Sequence, residues 1–90
     1  MRNPPSWDPA WESQYPFRRW SRDIMVWSIL NSDLPGARKA AAVIMSLRGN
    51  AAELTESIPP QAIYAGGMIN GVQVEPMTFL MHSLSERYSR

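Results

Sequence analysis

The chain has 90 residues, 44% of them hydrophobic and 19% charged, with a net charge of +1 and no cysteine. That length holds one small domain with a thin stability margin. The near-neutral charge argues against a dedicated nucleic-acid binder, and the lack of thiols excludes disulfides, thiolate nucleophiles and cysteine-based zinc sites.

Residues 1–13 carry Pro4, Pro5 and Pro9 together with Trp7 and Trp11. Each proline biases the residue before it toward extended backbone, so this stretch reads as an N-terminal arm. No apolar run follows Met1–Pro5, so no signal peptide is expected. The two indoles suggest an arm pinned onto a surface.

Next comes the most informative segment, Tyr15 to Leu30. Phe17, Trp20, Ile24 and Trp27 recur at spacings of three, four and three, one stripe of a helix. The helix is predicted over about 15–31, since proline at position 16 suits a first turn. Met25, Val26 and Ile29 lie beside that stripe, so the helix is apolar on more than one face. Such a helix is either central to a core or shared with a partner.

Asn31-Ser32-Asp33 is turn chemistry, with Asp33 the expected N-cap of a second helix over about 35–48. Ala40, Val43, Ile44 and Leu47 follow the i, i+3, i+4, i+7 pattern. Gly49 suits the position past a helix end. A third helix is expected over about 51–58, with Asn50 and Glu53 spaced as a capping box. Residues 60–65 have room for one more turn. Asn70-Gly71, flanked by apolar residues, is a hairpin signal, but the flanks are so short that a simple loop fits as well. A last helix over about 76–89 carries Met77, Leu80, Met81, Leu84 and Tyr88 on one stripe.

The expected fold class is therefore all-α. A single helical domain over 14–90, a bundle of four to five helices, follows the extended arm, with a Gly-rich loop or short hairpin before the last helix. Phe17, Trp20, Ile24, Trp27, Ile44, Leu47, Leu80 and Leu84 are the expected core. Trp7, Trp11, Tyr15, Met25, Val26 and Ile29 are the expected apolar interface.

No catalytic constellation stands out. His82 is the single histidine, and Glu53 and Glu56 read as solvated carboxylates. No Lys-Ser or Lys-Thr follows the glycines at 66, 67 and 71, so no phosphate loop is indicated. The expectation is no enzyme, no metal and no cofactor. Arg18, Arg19 and Arg22 cluster, and Arg38-Lys39 form a second basic group. These are either solvated helix faces or an anion-contacting patch for phosphate, carboxylate or nucleic acid. No apolar run approaches the ~20 residues of a membrane span.

The order of motifs resembles the N-terminal capsid domain of the Gag polyprotein of long-terminal-repeat retrotransposons. A Pro/Trp/Asp element (Pro5, Trp7, Asp8) precedes an aromatic helix with Trp20 and Trp27. Leu47, Gly49 and Ala51 match the "LxGxA" junction, Gly71-Val72 matches a Gly-Val step, and Leu80, Leu84 and Tyr88 match a closing helix. The resemblance spans roughly Trp7 to Tyr88 and implies a helical capsid-type domain whose work is self-assembly. Gag proteins usually continue into a second helical lobe and often a Cys/His zinc knuckle, and neither is present in this sequence. The resemblance thus implies an intact, truncated or repurposed Gag; separately, an intracellular, cytoplasmic location is expected. Its partners are further copies of itself or, alternatively, a larger protein complex on which it docks as an accessory subunit. A nucleic-acid module using the arginine cluster is the further alternative.

Overall fold

Helix formation here follows the apolar periodicity, and the turns fall where proline, glycine and asparagine interrupt it. The computed structural model describes residues 3–89. A 3₁₀ turn, Pro9–Trp11, precedes α1 (Phe17–Leu30), α2 (Gly36–Ser46), α3 (Gly49–Thr55) and α4 (Pro60–Ala65). Two strands, β1 (Gly67–Ile69) and β2 (Val72–Val74), lead into α5 (Pro76–Tyr88). The molecule is mostly helical but not purely all-α, because β1 and β2 pair antiparallel with Gly67 opposite Val74 and Ile69 opposite Val72. Asn70 (φ 50°) and Gly71 (φ 80°) form the tight turn between them. The hairpin alternative is the one realised. It survives despite its short strands because α5 packs against β1, with Phe79 against Gly67.

The core is continuous. Phe17, Trp20, Ile24 and Trp27 of α1 meet Ala40 and Val43 of α2, Leu47, Ala51 of α3, and Leu80 and Leu84 of α5. Helices α2, α4 and α5 pack closely on one another, while the bulky indoles of α1 fill the space between its backbone and theirs. Ile44 departs from expectation. Val43 takes the fully buried position and Ile44 is only half-buried at its edge.

Two predicted caps are not formed. Helix α2 is preceded by Pro35 without a side-chain cap, so Asp33 does not cap it and stands exposed in the turn after α1. Helix α3 begins at Gly49 itself, so the Asn50/Glu53 capping box is absent and Gly49 opens a helix as well as following one. The first free amide of α1, Phe17 N, is met instead by Glu12, which accepts at 3.1 Å. Glu75 caps α5, accepting from the amide and the hydroxyl of Thr78 at 2.6 and 2.7 Å.

Trp7 is the largest correction. Expected on the surface, it is fully buried. Its amide donates to the Ser46 carbonyl and its own carbonyl accepts from Arg48 N, a parallel bridge to Leu47. Its ring stacks on Trp20 with centroids 5.7 Å apart and meets Phe17 and Tyr88 edge-on. The indole N–H of Trp7 donates to the Tyr15 carbonyl at 2.6 Å, and that of Trp20 donates to the Pro5 carbonyl at 2.8 Å. An indole buries this readily once its one donor is satisfied. The arm is thus part of the core, held by two indoles that each reach across to the other's segment.

Candidate functional site

With one stripe of α1 committed to the core, the rest of its circumference is available for function. That outer surface has two halves. Toward the N-terminal end it carries Arg18, Arg19 and Arg22, all exposed. Toward the C-terminal end it carries Met25 (60% exposed), Val26 (42%), Ile29 (67%) and Leu30 (64%). Four large apolar side chains on adjacent turns are more than scattered surface hydrophobes, which need no explanation.

Beside Met25 the surface dips into a groove of about 490 Å³ between α1 and α5, lined by Met25, Met77 and Met81 with Ser21, Thr78 and His82. His82 sits at the rim and its Nε2 lies 3.8 Å from Glu86. Methionine suits surfaces that adapt to a partner, being flexible and polarizable.

The predicted interface residues divide. Met25, Val26 and Ile29 share the outer side of α1 as expected. Trp11 is 39% exposed at the end of the 3₁₀ turn. Tyr15 is half-buried, and its hydroxyl donates to Asp23 at 2.6 Å. Partial burial, the hydrogen bond to Asp23 and the charge of Asp23 push its phenol well above the ordinary range, against the smaller opposing effect of Arg19. Trp7 is removed from the set altogether. Leu30 is an addition, and its signal was present in the sequence, since it follows Val26 by four residues. The isolated exposed side chains Met45, Tyr64, Met68 and Val72 had no periodic signal.

Comparison with protein-family models, with curated proteins and with solved structures gave no match. The resemblance to Gag therefore rests on the sequence motifs alone.

The two basic groups do not merge. Lys39 donates to the carbonyl and the hydroxyl of Ser28 at 3.0 and 2.9 Å, so it neutralises the C-terminal end of α1 instead of facing an external anion. Arg38 remains exposed beside it. Arg18, Arg19 and Arg22 lie at the other end of the same helix, and none forms an ion pair with another described residue. Among the described residues no three His, Asp or Glu side chains cluster as a metal site. No helix among them is long and apolar enough to cross a membrane.

Two further titratable groups belong to the scaffold. Partial burial opposes ionisation of Glu75, but the Thr78 hydrogen bonds, an amide at Met77 and the charge of Lys39 outweigh it and hold the carboxyl below its ordinary value. Burial raises Tyr88, opposed by the charge of Arg87 and helped to a smaller extent by Asp8 and Glu53.

Proposed function

We propose that this chain is a non-enzymatic structural domain that works by associating with further copies of itself, as the resemblance to a Gag capsid N-terminal domain implies. The observation that carries the reading is the outer face of α1. Met25, Val26, Ile29 and Leu30 stay in water while the core closes completely without them. Leaving these side chains solvated forgoes roughly 25 cal/mol for every Å² that a partner would cover. Association buries that area and offsets part of the cost of ordering two molecules.

Sedimentation velocity across a range of concentrations tests this. The expected outcome is reversible, concentration-dependent association that Ile29→Ser weakens while the far-ultraviolet circular dichroism stays unchanged. A chain that remains monomeric at every concentration removes the reading.

The methionine-lined groove favours a second reading, an accessory subunit seated on a larger protein. That reading expects a stoichiometric hetero-complex sensitive to Met77→Ser and Met81→Ser, and no homo-oligomer.

A further inference from the structure

The outer surface of α1 has a symmetry that selects one mode of pairing. Arg22, Val26 and Ile29 follow at spacings of four and three along its centre, and Asp33 follows Ile29 by four more, in the turn just past the helix end. This is a short apolar seam with Arg22 at one end and the exposed Asp33 in the turn beyond the other. Met25 and Leu30 flank it on either side. Neither Arg22 nor Asp33 forms an ion pair with another described residue, and Asp33 is not used as a helix cap.

We infer that the partner of this face is a second copy of the chain, with the two α1 helices antiparallel and related by a two-fold axis near the Trp27–Ser28 peptide. In that register Val26 meets the partner's Ile29, Met25 meets the partner's Leu30, and Arg22 meets the partner's Asp33. The two-fold makes each contact twice, so all four charges are matched. A parallel two-fold does the reverse. It sets Arg22 against its own copy, sets Asp33 against its own copy, and brings Arg18 and Arg19 together with theirs. Like charges in contact penalise that arrangement, so charge decides between two modes that bury the same apolar residues. The antiparallel mode also sets the positive end of each helix beside the negative end of the other. The patch is small, four apolar side chains and two ion pairs, so the dimer is weak and reversible on its own.

The inference rests on the self-association proposed above, and charge reversal separates the two. Sedimentation equilibrium is measured on the parent chain, on Arg22→Asp, on Asp33→Arg and on the double variant. All of these positions are exposed, so the fold is expected to survive. Each single reversal turns two attractions into two repulsions and is expected to weaken the dimer about ten-fold. The double variant is expected to recover most of the parent affinity. A parent dimer that is indifferent to the reversals, or a double variant no better than the singles, overturns the antiparallel register and leaves self-association standing. A parent that never dimerises overturns self-association itself.

A second measurement uses the absence of native cysteine. Under mild oxidation, Val26→Cys mixed with Ile29→Cys is expected to cross-link across the two chains faster than either variant with itself, because disulfides demand close Cα atoms. Preferential Val26→Cys self-linking overturns the register.

Discussion

The inner and outer sides of α1 are made of similar material and have opposite fates. Inside, Phe17, Trp20, Ile24 and Trp27 are at most 3% exposed. Outside, Met25, Val26, Ile29 and Leu30 are 42–67% exposed. Hydrophobicity alone does not separate the two sets. What separates them is coverage: α2, α3, α5 and the arm all supply apolar side chains to one side, and the described residues leave the other largely in water. The lesson is that a helix apolar on more than one face needs more cover than the described elements supply.

The contrast breaks most sharply at the aromatic cluster. Trp7→Ala removes a fully buried indole, two ring contacts to α1, an edge-on contact to Tyr88 and the hydrogen bond to Tyr15. A loss of about 3–5 kcal/mol is expected, most of what a small domain has. Denaturant unfolding followed by circular dichroism measures it. Ile29→Ser on the outer side is expected to change stability by no more than about 0.5 kcal/mol in the same assay. Equal losses at the two positions would erase the distinction between the sides.

The same opposition of hemmed and open positions recurs at the hairpin on a smaller scale. Gly66 and Gly71 both have positive φ, at 85° and 80°. A Cβ on Gly66 would lie 2.0 Å from the Val74 carbonyl oxygen, whereas one on Gly71 meets nothing within 4 Å. Gly66→Ala is therefore expected to cost more than about 2 kcal/mol, from backbone displacement added to strain. Gly71→Ala should cost about 1 kcal/mol, from the left-handed backbone alone. Thermal unfolding of the pair gives the difference directly.

The smallest effect lies in Glu75. Its folded carboxyl sits below the ordinary value of 4.5, so the folded state binds its proton less readily than the unfolded chain. The stabilisation from its Thr78 hydrogen bonds is thus present above that ordinary value and is lost as pH falls through the folded one. The melting temperature of Glu75→Gln should lie below that of the parent at neutral pH and converge with it in acid. A constant gap from neutral pH into acid would show that the carboxylate charge is not what matters.

Much of this architecture was legible in the sequence. The stripe at 17, 20, 24 and 27 is the buried one, and the last helix runs over 76–88 within a residue of expectation. These are long periodic segments, where side-chain spacing leaves little choice. The failures share a different cause. Trp7 looked like surface because it sits in a proline-rich stretch without periodicity, and its burial depends on a bridge to Leu47, forty residues away in sequence. The caps at Asp33 and Asn50 failed because α2 and α3 start at Gly36 and Gly49, with Pro35 and Arg48 in the cap positions and both predicted side chains out of register. Of the candidate surface, Met25, Val26 and Ile29 were readable as a second apolar flank. The matched charges at Arg22 and Asp33 acquire meaning only once Asp33 is seen to be free of the following helix.

The crossed indole hydrogen bonds of Trp7 and Trp20 also bear on time. They tie the arm to the start of α1 within residues 5–20, whereas the backbone bridge from Trp7 to Leu47 needs α2 and α3 already in place. A bridge between residues so far apart in sequence is expected to form late on the folding route and to be lost early on the way out. The arm is then expected to act as a latch, with Trp7→Ala speeding unfolding in stopped-flow circular dichroism far more than it slows folding.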